Sequence, residues 1–408
     1  MNFQLSSNKT TINAEISISG SKSESNRLLI LQQLIVGLEI ENISDSDDSK
    51  YLEKALKSSE NIIDIGHAGT AMRFLTSYFS IQEGREVVIT GSDRMQNRPI
   101  EILVSALKEL GAQISYEKKI GYPPIRIKGA RITKAKVKMQ GDVSSQYISS
   151  LMLVAASLPN GLEIELLGNV TSVPYIKMTL SLLNRIGVKA NFIKNKIKIQ
   201  PFNSSSYKKI TVESDWSSAS YFYSIIALSE IGSKITLSSY KKDSLQGDSC
   251  LVKIYKHFGV ETTFNGNSIL ISKVRPTNTT QLTLDLINAP DIAQTIAVTC
   301  FGLGISCVLT GLHTLKIKET DRLVALENEL KKLGGVMTIT NHSLELKQPS
   351  SIYSNIQIET YSDHRMAMAF APLAIKVPLS ISDPNVVTKS YPNFWKDLQQ
   401  IGFQIDSK

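Results

Sequence analysis

Apolar and polar positions along this chain switch between two periods, and the switch itself recurs. Segments with apolar residues three and four apart end in an apolar residue and a glycine, and period-two stretches follow them. The phrase appears as LKELGAQIS, LNRIGVKANF, YKHFGVETTF, LKKLGGVMTI and LQQIGFQID. In the fourth, Leu323, Leu326, Leu330 and Leu333 form a single apolar stripe, which predicts an amphipathic helix. The glycines (Gly111, Gly187, Gly259, Gly334 and Gly402) stand where a helix ends in a left-handed residue. The alternating stretches after the first four predict β-hairpins. VETTFNGNSILIS turns around Asn265-Gly266-Asn267, and QISYEKKIGYPPIRIKG turns between Gly121 and Pro124. Three helix starts carry capping residues: Asp215 before WSSAS, Asp291 before IAQ with Gln294 as a capping-box partner, and Asp363 before HRMAMAF.

The glycines recur roughly every 70 residues, which divides the chain into about six copies of one unit, the last cut short by the C-terminus. A helix followed by glycine and a strand is common in any α/β protein; the regular spacing is what argues for a repeat. A unit this long holds helices plus several strands, too much for a solenoid repeat. The expected fold class is therefore α/β, with two lobes of three copies each and a ligand cleft between them.

Composition agrees with this partition and narrows the function. A chain of 408 residues exceeds what one hydrophobic core serves. With 42% hydrophobic and 20% charged residues it reads as an ordinary globular protein. Its 45 basic and 37 acidic side chains leave a net +8, compatible with nucleic acid, an acidic membrane surface or small anionic ligands. The lysines of Lys194 to Lys198 alternate with apolar residues and lack interleaved aromatics, so they read as the wet face of a strand rather than a nucleic-acid surface. Three cysteines (Cys250, Cys300, Cys307) make no disulfide framework or metal pair. Five scattered histidines (His67, His257, His313, His342, His364) contain no HExxH, so neither metal nor cofactor is expected. The first twenty residues lack the pattern of a signal peptide, and Ile292 to Gly311 is interrupted by Gln294, Thr295 and Thr299. A cytoplasmic protein without a membrane span is the expectation.

Polar residues gather at helix entries: Lys22-Ser23 with Arg27, GHAGTAMR, QNRPI with Arg98, GDVSSQ, TSVPY, SDWSSAS, APD, KIKETDR, SDHR and TKSYP with Lys389. A helix N-terminus offers unpaired N–H groups and the positive end of the dipole; added hydroxyls and cations make an anion site. One such cluster is usually only a cap. Together they predict a ligand with more than one phosphate or carboxylate. Asp291 and Glu319 are acidic residues inside these basic clusters, as charge balancers or as proton-transfer groups.

In this order, GSKSESNR, AGTAMR, NRPI, VSSQ, KETDR and SDHRMAMAF resemble the 5-enolpyruvylshikimate-3-phosphate synthase family, over nearly the whole chain from about residue 3 to TKSYPNFW. The resemblance implies a two-lobed, inside-out α/β architecture, each lobe three βαβαββ-type units about a pseudo-threefold axis. It places one lobe at 20–212 and the other at 1–19 with 213–408. The implied reaction transfers the enolpyruvyl group of phosphoenolpyruvate to the 5-hydroxyl of shikimate 3-phosphate, by addition and elimination through a tetrahedral adduct, with no cofactor or metal. Closure of the lobes would bring both sets of cations onto the ligands and exclude water. Small anionic substrates are then the partners, and a monomer is expected.

Position by position, the resemblance makes Lys22, Asp291 and Glu319 the catalytic set, with Asp291 accepting the hydroxyl proton and Glu319 protonating the methylene. It assigns shikimate 3-phosphate to Lys22, Ser23, Arg27, Ser144, Ser145, Gln146, Ser172, Tyr175, Asp291, Thr314 and Lys318. It assigns phosphoenolpyruvate to Lys22, Gly69, Arg98, Gln146, Arg322, Arg365 and Lys389. The chain departs from the family pattern in four places. The first unit is shorter by a strand pair or more between SDSDDSKYL and GHAGT, and His67 stands for the usual asparagine. Phe74 stands for a proline beside the expected phosphoenolpyruvate pocket, where glyphosate sensitivity is set. Thr314 stands for a phosphate-contacting asparagine. His67 and His313 read as structural or rim residues, and His364 as a group behind the site. Two rivals share the architecture. A UDP-N-acetylglucosamine enolpyruvyl transferase typically uses a mobile-loop cysteine, whereas residues 1–249 contain none. An inactive binding module of the same fold would not need Lys22, Asp291, Glu319 and Arg365 intact.

Overall fold

The repeat becomes a recurring piece of structure, seen most simply in residues 136–199 of a computed structural model. Strand Lys136–Gln140 leads into helix Ser145–Ala155, which crosses to the parallel strand Leu162–Leu167. Helix Val173–Arg185 then returns, and the hairpin Ala190–Ile193/Lys196–Ile199 adds antiparallel to Leu162–Leu167. Parallel strands need such a crossover, and the hairpin needs only a tight turn. The structure describes residues 1–9, 11–142, 144–171, 173–202 and 207–407. They form two compact units: residues 1–19 with 213–408, and residues 20–212.

In the unit 20–212, the copy around helix Gly69–Ser80 repeats this plan. Ile62–Asp64 and Glu86–Thr90 run parallel, and Gln113–Tyr116 with Ile125–Lys128 forms the hairpin. The copy around helix Lys22–Leu34 keeps only the parallel pair, Leu38–Glu41 with Lys208–Thr211. Its second helix, Asp47–Lys57, runs directly on to Ile62–Asp64 with no hairpin between. This is where the chain is short.

The other unit holds three four-stranded sheets. Its crossover helices are Trp216–Leu228, Ala293–Leu303 and His364–Phe370. Two of its strands come from the first residues of the chain. Asn13–Ile16 pairs parallel with Lys234–Ser238. Asn2–Ser7 pairs antiparallel with Phe403–Ser407, Phe3 facing Ser407 and Ser7 facing Phe403. The last copy is therefore not cut short, as the sequence pattern suggests; the first strand of the chain completes its hairpin.

The crossover helices Trp216–Leu228 and Ala293–Leu303 carry no charged residue and are buried over nearly their whole length. Hydroxyls inside crossover helices are satisfied one turn back: Thr299 Oγ1 donates to Thr295 O at 2.7 Å, and Thr76 Oγ1 to Met72 O at 2.6 Å. The five glycines that close outer helices all take left-handed backbone, with φ between 76° at Gly259 and 112° at Gly111. The segment Ile292 to Gly311 is helix Ala293–Leu303 followed by strand Ser306–Thr310. Among the described residues, no helix is long and apolar enough to cross a membrane.

Candidate active site

Within the unit of residues 1–19 and 213–408, the starts of the three crossover helices meet. Asp215 caps Trp216–Leu228 by accepting from Ser218 N, and Asp363 caps His364–Phe370 by accepting from Arg365 N. Asp291 differs from the expected cap. It lies in the 3-10 turn Pro290–Ile292, and helix Ala293–Leu303 begins without a side-chain cap. Gln294 closes no capping box either; its Nε2 points to Met366 Sδ at 3.0 Å. The Asp291 carboxylate is instead taken up by cations.

Those cations come from separate segments. Arg322, the first residue of helix Arg322–Lys332, is 2% exposed and spreads its guanidinium over three carboxylates. Nε donates to Asp363 Oδ2 at 2.7 Å, Nη1 to Asp291 Oδ1 at 2.9 Å, and Nη2 to Glu319 Oε2 at 2.8 Å. Arg365 places Nη2 3.3 Å from Asp291 Oδ2, donates from Nη1 to the Asp291 carbonyl at 3.1 Å, and from Nη2 to Ser217 Oγ at 3.2 Å. Lys318 Nζ lies 3.5 Å from Asp291 Oδ1, and Lys389 Nζ lies 2.5 Å from Glu319 Oε1.

These contacts set the charges. Burial pushes the Asp291 carboxyl up, but Arg365, Lys318 and Arg322 together outweigh it and hold it well below the usual carboxylate value. Burial lowers Arg322, and Asp363, Glu319 and Asp291 more than reverse this. Asp291, Lys318, Glu319, Arg322, Arg365 and Lys389 are thus joined by close charged contacts into one network. Thr314 sits on the neighbouring 3-10 turn His313–Ile317 with its Oγ1 buried and without a hydrogen-bond partner. Such a hydroxyl can serve a ligand at little cost.

The unit 20–212 uses a different chemistry. Arg27 is buried on helix Lys22–Leu34, with Nε donating to Thr179 Oγ1 at 2.7 Å, Nη2 to Ser149 Oγ at 3.1 Å and Nη1 to the Ser23 carbonyl at 2.7 Å. Its guanidinium lies 5.5 Å from the Phe74 ring centroid and 5.9 Å from that of Tyr175. Burial lowers its pKa to about 10, and Tyr175 and Glu24 offset this only in part. Phe74 is thus a buried platform under Arg27. Lys22 Nζ pairs with Asp48 Oδ2 at 3.6 Å. Gln146 Nε2 donates to Thr70 Oγ1 at 3.2 Å, tying together the starts of helices Ser145–Ala155 and Gly69–Ser80. Ser144 caps the first of these helices, and Ser145 is buried at its start. A Cβ at Gly69 would collide with the Arg98 guanidinium, so only glycine lets that arginine lie across the helix start. His67 lies 3.9 Å from Asp47, His313 is exposed, and His364 is buried beside Asp363. Ser172 lies outside the described residues.

Several partners have no signal in sequence. Asp363 reads as a cap, yet its other oxygen binds Arg322. Ser217, Asp248, Thr179 and Ser149 look like ordinary helix and turn residues, and only the fold brings them to the arginines. KETDR sets Glu319 three positions before Arg322, in a bend ahead of the helix that begins at Arg322.

The sequence matches the EPSP synthase family (3-phosphoshikimate 1-carboxyvinyltransferase) over residues 52–398. A relative from Bacteroides fragilis named 3-phosphoshikimate 1-carboxyvinyltransferase is 44% identical over 401 residues, 97% of this chain and 96% of the relative. One of the same name from Haemophilus influenzae is 33% identical, over 96% of this chain and 97% of its own length. The fold matches a solved EPSP synthase from Acinetobacter baumannii with a TM-score of 0.81 at 21% identity, over 100% of both chains. It also matches the enolpyruvyl transferase NikO from Streptomyces tendae, with a TM-score of 0.76 at 12% identity, over 100% of this chain and 99% of that one. The chain belongs to the EPSP synthase family.

Proposed function

We propose that the chain catalyses transfer of the enolpyruvyl group from phosphoenolpyruvate to the 5-hydroxyl of shikimate 3-phosphate, with release of inorganic phosphate. The observation that carries this reading is the network around Arg322, in which two carboxylates with separate surroundings share one set of cations. Asp291 is the base for the sugar-like hydroxyl, and Glu319 is the acid for the phosphoenolpyruvate methylene.

The geometry suggests how binding would switch the acid–base pair on. Asp291 is a weak base while Arg365, Lys318 and Arg322 all neutralise it. The carboxylate and phosphate of phosphoenolpyruvate are better bidentate partners for the guanidinium groups. Once they engage Arg322 and Arg365, less positive charge remains on Asp291 and its proton affinity rises. Lys389 and Arg322 likewise exchange Glu319 for the ligand, leaving its carboxyl able to carry and deliver a proton. Addition forms the bond from the hydroxyl oxygen to C2 of phosphoenolpyruvate while C3 gains the proton. Elimination then expels phosphate and returns a proton from the former methylene. Lys22, Ser23, Arg27, Ser144, Ser145, Gln146, Ser172, Tyr175, Thr314 and Lys318 are assigned to shikimate 3-phosphate. Lys22, Gly69, Arg98, Gln146, Arg322, Arg365 and Lys389 are assigned to phosphoenolpyruvate. On this reading, positioning two polyanions is most of the work.

The test is phosphate release with phosphoenolpyruvate and either shikimate 3-phosphate or UDP-N-acetylglucosamine. Turnover with the first alone is expected; turnover only with the second, or none, overturns the reading. The enzyme is also assigned to the cytoplasm as a monomer, which sedimentation of the active protein would check.

A further inference from the structure

The segment that delivers Asp363 and Arg365 is held by side chains outside the network. Tyr361 and Ser362 both adopt left-handed backbone, with φ of 53° and 54°, a conformation that residues with a Cβ resist. Something must hold them there. Glu329, on helix Arg322–Lys332, is fully buried at 0% exposure. Its Oε1 accepts from the Tyr361 hydroxyl at 2.7 Å, and its Oε2 accepts from Glu359 N at 3.1 Å. Lys332 Nζ lies 2.5 Å from the same Oε2 and balances its charge.

Arg322 stands seven positions before Glu329, two turns back on the same helix face. It binds Asp363. One helix therefore grips residues 359–363 at both ends of the left-handed turn. A buried glutamate that served packing alone would have no reason to spend both oxygens on this one segment. Burial and the Glu329 hydrogen bond push the Tyr361 phenol up to about 12, so it stays a donor at any working pH.

We infer that Glu329 and Tyr361 are positioning residues for the phosphoenolpyruvate end of the site. They fix the turn that aims Asp363 at Arg322 and starts the helix bearing Arg365. The inference rests on the activity proposed above. Neither residue touches substrate; both act through Asp363 and Arg365.

The experiment compares the full-length protein with Tyr361→Phe and Glu329→Gln, which keep shape and fold. Each should raise KM for phosphoenolpyruvate about fivefold or more while changing KM for shikimate 3-phosphate less than about twofold. Equal changes in both KM values, or none, overturn the positioning role whatever happens to Tm. Amide hydrogen exchange over residues 360–366 reads the latch without turnover. It should speed up about tenfold in Tyr361→Phe, and unchanged exchange overturns the proposal. A natural enzyme that releases no phosphate would overturn the functional reading by itself, and the exchange result would still decide the latch.

Discussion

Arg322 and Arg27 are both buried arginines at the mouth of a crossover helix or its neighbour, and they are solvated in opposite ways. Arg322 is surrounded by charge: Asp363, Asp291 and Glu319 take every face of its guanidinium. Arg27 is surrounded by dipoles and rings: two hydroxyls, one carbonyl, Phe74 and Tyr175. Their pKa values move accordingly, one above the ordinary arginine value and the other down to about 10. Carboxylates around an arginine neutralise it and are themselves held ionised, a store of acid–base groups that an incoming anion can release. Hydroxyls around an arginine orient it and leave its charge uncancelled, which suits a phosphate grip. On the function proposed above, the surroundings of Arg322 would serve both proton transfer and phosphoenolpyruvate, and those of Arg27 a phosphate grip alone.

The strongest way to break that division is Glu319→Gln. The amide keeps an acceptor for Arg322 but has no proton to give the methylene carbon. Turnover should fall about 10²- to 10⁴-fold. Affinity for shikimate 3-phosphate, measured by titration calorimetry, should stay near the natural value. Near-normal turnover would show that the C-terminal carboxylates are only charge balancers.

A pair of substitutions sharpens the comparison through stability. Arg322→Met strands Asp363, whose carboxylate has no exposure, along with Asp291 and Glu319. Removing one partner of a buried ion pair costs about 3–5 kcal/mol. Arg27→Met leaves Thr179 and Ser149, whose hydroxyls already bond each other at 3.0 Å, so the loss should be about 1 kcal/mol. Urea melts of the two variants read the difference. Equal losses would mean that the surroundings of the two arginines do not differ energetically as they do chemically.

The same contrast explains what could be read in the sequence. The α/β class, the helix-ending glycines and most hairpins were legible because each is a local pattern: a stripe, a left-handed residue, a two-residue turn. The pairing of Phe3 with Ser407 was not, because nothing near either residue says that the two ends of the chain share a sheet. Cap signals were legible at Asp215 and Asp363 and misleading at Asp291, where Arg322, Lys318 and Arg365 compete for the carboxylate more strongly than backbone N–H groups do. The site motifs could be singled out because cations and hydroxyls at helix starts are unusual together. Glu329 could not: a glutamate in a charged helix looks solvated, and the left-handed backbone of Tyr361 and Ser362 leaves no trace in residue type.

The smallest expected effect separates two carboxyls of one cluster. Asp248 bonds Ser217 Oγ, which also receives Arg365 Nη2, so it stands one step behind Asp291. Burial pushes its pKa up to about 7 and nearby Asp291 adds to this, while Arg365 and Ser217 offset only part. Asp291, in direct reach of three cations, goes the other way. A carboxyl whose folded pKa is raised binds its proton more tightly in the native state than in the unfolded chain. Its contribution to stability is therefore full below the unfolded value of 3.8 and is lost as pH rises through about 7. Within that window the natural protein should lose on the order of 1 kcal/mol per pH unit from this group. Asp248→Asn cannot ionise and should remove that slope, gaining on the natural protein in thermal melts at pH 8 relative to pH 5. If the variant instead loses ground at pH 8, the Asp248 carboxylate is an ionised partner of Arg365, as Asp291 is. The network would then extend one side chain deeper than Asp291.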